Sequence, residues 1–188
     1  LEARKGALSL RLRPETCSGN RNPSFLGRRL QHLRGSASTA LHFTPGAENE
    51  KAGILIFQNE THFYYLCKSM RQGKPVVELF VSDGRNKTGM TALATRETGT
   101  HDADRPLRLK IEANGSVCNF LYGTGENAWT MLNEGVDATV LSTRTAGGFV
   151  GCMVALYATS LGKASSTTAS YDWFEYTGND EVYETERR

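Results

Sequence analysis

Period-two alternation of apolar and polar residues dominates this chain. Ala7-Leu8-Ser9-Leu10-Arg11-Leu12-Arg13 sets Leu8, Leu10 and Leu12 on one face and stops at Pro14, as a half-buried strand does. Ser36 to Phe43 repeats the pattern through Ala37, Thr39, Leu41 and Phe43, and Leu107 to Ala113 repeats it most cleanly. Asn114-Gly115 then predicts a tight hairpin, since both residues tolerate positive φ, with Val117 to Tyr122 as the returning strand. Two other apolar runs are continuous: Ala52 to Phe57 and Gly147 to Ala158 read as strands buried on both faces. Gln58-Asn59-Glu60-Thr61 joins the first of these to His62–Cys67 as a second hairpin, and Pro75 to Val81 forms a further strand closed by Ser82-Asp83-Gly84.

Ser24 to Leu33 carries leucines at helical spacing. Gly27 and the all-strand surroundings favour an extended segment instead, with Arg29 and Gln31 on one face and Arg28, Leu30 and His32 on the other. After the polar loop Thr159 to Thr168 comes an aromatic strand, Ala169 to Tyr176, shorter than the run before it and central in character. Residues 84–105 are polar and turn-rich. About a dozen strands with turns between them, and no convincing helix, predict an all-β fold: an antiparallel β-sandwich.

Composition narrows the possibilities. A length of 188 residues fits one sandwich domain over 1–178, followed by a polar, frayed tail over 179–188. A chain of this size buries enough surface to need neither disulfide nor metal. The formal net charge of +2, with bases interspersed among acids, argues against a nucleic-acid partner. No apolar run approaches the ~18 residues of a membrane span. The four cysteines have no paired spacing, which argues against zinc. Cys67, Cys118 and Cys152 read as small core side chains and Cys17 as a loop thiol. The chain starts at Leu1 without Met or a signal-peptide apolar region, so it is expected to begin in mid-protein. The cysteines leave the compartment open between periplasmic, secreted and cytoplasmic.

The chemistry is tested against what each reaction needs. A glycosidase site requires two carboxyl groups flanking the bond, ~5 to 9.5 Å apart. On one strand that calls for acids two apart, whereas Asp172 and Glu175 are three apart and fall on opposite faces of a regular strand. No G-x-S-x-G or G-x-G-x-x-G pattern occurs, and His32, His42 and His62 read as satisfied or exposed strand-face residues. Catalytic residues are therefore expected to be absent from this chain. Aromatic faces suit sugar stacking, which makes Tyr64, Tyr65, Trp129, Tyr157 and Trp173 candidates, each with core packing as its alternative. No cofactor is expected; Asp172 alone is a thin basis for a calcium site that needs six or more oxygens.

Four segments occur in a telling order: Pro23-Ser24-Phe25-Leu26-Gly27-Arg28-Arg29-Leu30-Gln31-His32, then Ala52-Gly53-Ile54-Leu55-Ile56-Phe57-Gln58-Asn59-Glu60 with His62-Phe63-Tyr64-Tyr65-Leu66, then Gly148-Phe149-Val150-Gly151, then Tyr171-Asp172-Trp173-Phe174-Glu175-Tyr176. The series resembles the C-terminal, concanavalin-like β-sandwich domain (a jelly roll) of glycoside hydrolase family 43 β-xylosidases and α-L-arabinofuranosidases. The resemblance implies a catalytic five-bladed β-propeller upstream, as the partner on which the sandwich packs, and a xylose- or arabinose-containing oligosaccharide as its substrate. It also implies that Phe149 closes one side of the propeller's pocket, the alternative being an ordinary core aromatic. Val150 stands where many relatives carry Thr. Three functions follow as expectations: an accessory sandwich inactive alone, an autonomous carbohydrate-binding module, or a non-sugar interaction domain.

Overall fold

The computed structural model describes residues 5–86, 89–99, 105–125 and 128–179. Twelve strands among them form two six-stranded sheets in which every strand pairing is antiparallel. They are β1 (Leu8–Arg11), β2 (Ser24–Arg29), β3 (Arg34–His42), β4 (Lys51–Asn59), β5 (His62–Arg71), β6 (Lys74–Asp83), β7 (Thr91–Glu97), β8 (Leu107–Asn114), β9 (Val117–Gly123), β10 (Thr130–Asp137), β11 (Met153–Thr159) and β12 (Thr168–Asn179). One sheet runs β1-β12-β3-β8-β9-β10 and the other β2-β11-β4-β5-β6-β7. The only helical pieces described are a 3₁₀ turn, Ala138–Leu141, and a single α-turn, α1 (Thr143–Ala146).

Alternation builds the core between the sheets. Leu41, Ile54, Ile56, Leu66, Leu79, Leu109, Ile111, Phe120 and Leu156 meet there with Tyr171. Continuous apolar runs have a different cause: the outer face of the second sheet carries its own cluster, of Leu55, Phe63, Tyr65, Cys67, Phe80, Ala155 and Tyr157. The interior strands β4 and β11 of that sheet lie between the two clusters and are accordingly buried on both faces. Near the start of β4, a Cβ on Gly53 would collide with the Leu66 carbonyl oxygen. The Tyr171 hydroxyl donates from the other sheet to the Gly53 and Tyr157 carbonyls, at 3.1 and 3.0 Å.

Several expectations need correction. The run from Gly147 is not strand throughout: pairing starts at Met153, opposite Arg29 and Phe57, and β11 is seven residues long. Gly147 and Gly148 adopt φ of +74° and +82°, which no extended strand permits. The aromatic strand is the longer one, at twelve residues, and lies next to the sheet edge, because it pairs along β3 as far as Arg34. The hairpin turn sits one residue later than predicted, at Gly115-Ser116, with Asn114 still paired to Val117. His32 lies beyond β2, its ring 2.9 Å from the Tyr176 hydroxyl, and not on a strand face. Cys17 is in a turn, as predicted, but is buried in the outer cluster with its thiol pKa pushed up to about 12 by that burial. The polar segment hides a whole strand, β7. Apart from Asn179, which ends β12, the predicted tail lies outside the described residues.

Candidate functional site

The candidate site is the rim between β10 and β11. Asp137 caps the 3₁₀ turn through a 2.8 Å bond from the Thr139 amide, and buried Leu141 pins that turn to the core. Ser142 caps α1, whose end is closed by the Gly147 amide on the Thr143 carbonyl at 3.0 Å. The two left-handed glycines then carry the backbone outward. Phe149 follows, fully exposed, with Val150 half-exposed beside it. Core packing is therefore not what Phe149 does. An isolated phenyl ring held in water at the tip of a capped loop is chemically a surface for an apolar or sugar C–H face.

The other aromatic candidates divide sharply. Tyr64, Tyr65 and Tyr157 are buried; Tyr64 donates to the Asp137 carbonyl at 2.8 Å, Tyr65 to that of Tyr157 at 3.2 Å, and Tyr157 accepts from the Cys17 amide at 3.0 Å. Burial accordingly pushes the Tyr64 hydroxyl pKa up to about 12 and raises those of Tyr65 and Tyr157 as well. Trp129 has the Arg108 guanidinium 4.5 Å and the Lys110 ammonium 5.6 Å from its ring centre. Trp173, 40% exposed, joins Leu8 and Leu26 along an apolar groove of about 310 Å³ at the open edge between β1–β12 and β2–β11.

A β-bulge in β12 breaks the regular alternation between Asp172 and Glu175. The ladder skips from Tyr171 opposite Leu41 to Trp173 opposite Ala40. As a result Tyr171, Phe174 and Tyr176 all pack on the core. Asp172 Oδ2 instead meets His42 Nε2 at 2.7 Å. Among the described residues no group of three or more His, Cys, Asp or Glu side chains is placed to hold a metal, and no helix is long and apolar enough to cross a membrane.

A larger cleft, about 870 Å³, opens on the outer cluster under the Pro14–Arg21 loop, with Lys51, Phe80 and Tyr157 in its lining. Lys51 is buried there. Its ammonium bonds Glu78 Oε2 at 2.8 Å and Ser69 Oγ at 2.7 Å and lies 4.8 Å from the Phe80 ring centre. Sequence reading missed this pair, because Lys51 and Glu78 meet only across three strands. It also missed the amides that hold the rim, Gln58 and Asn59, although a buried run ending in two amides at a turn is a signal that could have found them.

With the rim and clefts in place, comparison with known proteins decides the class. The model of the family described as "Beta xylosidase C-terminal Concanavalin A-like domain" matches residues 1–177. This chain belongs to that family. It is 34% identical over 175 residues to a xylosidase/arabinosidase of Butyrivibrio fibrisolvens, covering 90% of this chain and 31% of that protein. It is 27% identical over 176 residues to the non-reducing end α-L-arabinofuranosidase BoGH43B of Bacteroides ovatus, covering 94% and 32%. The crystal structure of a xylan β-1,4-xylosidase from Bacillus halodurans C-125 superposes with a TM-score of 0.83 at 22% identity, over 94% of this chain and 34% of that one; that likeness concerns the fold. The concanavalin A-like sandwich is thus shown for this chain, which spans about a third of the length of each of these relatives.

Proposed function

We propose that this chain is the accessory C-terminal sandwich of a glycosidase acting on xylan side chains or xylo-oligosaccharides. In this reading it packs on a catalytic β-propeller of the same protein, and Phe149 closes one side of the propeller's pocket. The observation that carries it is the exposed Phe149 ring on a capped loop, in a chain one-third the length of relatives named xylosidase/arabinosidase and arabinofuranosidase. Exposing a ring this large is unfavourable in the isolated sandwich, and a sugar face or a neighbouring domain would relieve it. The test uses the full-length protein and the isolated sandwich with nitrophenyl xyloside and arabinoside. Full-length Phe149→Ala should lose kcat/KM while remaining folded, and the sandwich alone should release no sugar. Sugar release by the sandwich alone, or an unimpaired Phe149→Ala enzyme, would overturn the reading.

The cleft on the outer cluster favours a second reading, an autonomous carbohydrate-binding module. Its buried ion pair and aromatic floor combine the polar and apolar contacts a saccharide uses. Calorimetric titration of the isolated sandwich with xylo-oligosaccharides tests it, and no heat at millimolar ligand would end it.

A further inference from the structure

The segment Ala52 to Glu60 was singled out in the sequence, and packing accounts only for its apolar part: Ile54 and Ile56 enter the core, Leu55 the outer cluster. Gln58 and Asn59 serve neither. At this end of β4 the ladder passes from Phe57 opposite Phe63 to Asn59 opposite His62, leaving Gln58 as the extra residue of a bulge. A bulge re-aims side chains away from the regular alternation, and here both amides reach the rim. Gln58 Nε2 donates to the Val150 carbonyl at 2.7 Å, while its Oε1 lies 3.2 Å from the Cys152 thiol. Asn59 Nδ2 donates to the Ala146 carbonyl at 2.9 Å. Asn59 Oδ1 accepts from the amide and hydroxyl of Thr61, both at 3.0 Å, which fixes the orientation of the amide group.

Ala146 and Val150 bracket Gly147-Gly148-Phe149. Two glycines alone would leave the ring free to swing through a wide arc, whereas anchored carbonyls on both sides reduce the free span to these three residues. We infer that Gln58 and Asn59 are positioning residues that set the direction in which Phe149 points, and through it the fit of the saccharide. This deepens the function proposed above and rests on it. Misplacing a contact group by about 1 Å can cost a reaction on the order of a hundredfold, so a clamp of this kind has a measurable consequence.

Isosteric variants test it. Gln58→Glu and Asn59→Asp keep shape but replace the donor facing each carbonyl by an acceptor. In the full-length enzyme each should lower kcat/KM on xylo-oligosaccharides about fivefold to tenfold and speed hydrogen exchange at the amides of 147–151, with the sandwich still folded by circular dichroism. Combined with Phe149→Ala, neither should cost anything further, because both act through the ring. If the clamp variants keep wild-type kcat/KM while Phe149→Ala loses it, the clamp is refuted and the role of Phe149 stands. Equal losses with and without the ring would also refute it. If Phe149→Ala itself is harmless, the pocket reading falls and the clamp's functional meaning with it, while exchange rates alone still report whether the amides hold the loop. Should Gln58→Glu unfold the sandwich, Asn59→Asp, on the less buried hairpin end, carries the test.

Discussion

The two ends of β4 each fasten a loop adjoining β11, and they do so in opposite ways. At the start, buried Glu50 gathers the 160–167 connection: its carboxylate accepts from Gly46 N–H at 2.7 Å, Ser165 Oγ at 2.6 Å and Thr167 Oγ1 at 2.9 Å. At the finish, the neutral amides of Gln58 and Asn59 hold the 142–152 connection and leave Phe149 in water. The first loop turns Ser165 and Thr167 inward and exposes no aromatic ring; the second is anchored through two carbonyls and displays one. Fastening is common to both, and display is what separates them: an exposed aromatic ring stands on one loop and none on the other.

Removing the charged anchor should produce the larger effect. Glu50→Ala strands several donors at once and should destabilise the sandwich by about 3 kcal/mol, read from urea unfolding; a loss below about 1 kcal/mol would make the two ends equivalent and break the comparison. Next, Phe149→Ala in the full-length protein should lower kcat/KM about tenfold, equal to about 1.4 kcal/mol of transition-state stabilisation. Smaller again is a pH effect. Burial raises the Glu50 carboxyl pKa, but hydrogen bonds from Ser165, Gly46, Thr167 and Ala47 outweigh it, leaving the group below its ordinary value. A depressed folded pKa gives a contribution that is whole above the unfolded value of ~4.3 and lost as pH falls through the folded one. The stability gap between wild type and Glu50→Gln should therefore be full at neutral pH and narrow as pH falls below the unfolded value of ~4.3; a constant gap would show that the charge is not what anchors the loop. Smallest of all, Phe149→Ala should move the Tm of the sandwich by about 1 °C at most, because an exposed ring contributes little to folding. A drop of several degrees would mean that the ring packs against this domain after all.

Much of the fold was legible because alternation is a local signal that survives folding. Leu107 to Ala113 and Leu41 sit where the pattern put them, the hairpin into His62 turns at Glu60-Thr61 with Gln58 and Asn59 still in β4, and even the ambiguous Ser24–Arg29 proved extended. The continuous run of β4 announced burial on both faces without revealing that the second face belongs to a separate cluster. Phe149 was picked out in the sequence, by resemblance, but its exposure was not readable: Gly147 to Ala158 is apolar throughout, and only the two positive φ values divide display from burial. Bulges were invisible as well. Each adds one residue to one strand, so it appears only when the partner strand is known, and both the Asp172 parity argument and the roles of Gln58 and Asn59 turned on one.

By itself, then, the sequence determined most of the strands, the sandwich and the glycine-flanked aromatic, since these follow from side-chain period and backbone freedom along the chain. Tertiary structure alone decided that Lys51 meets Glu78, that Asp172 meets His42, and that the tip of β4 holds the rim from 87 and 92 residues away in sequence. Those pairings depend on register between strands remote in sequence, which neither composition nor period encodes.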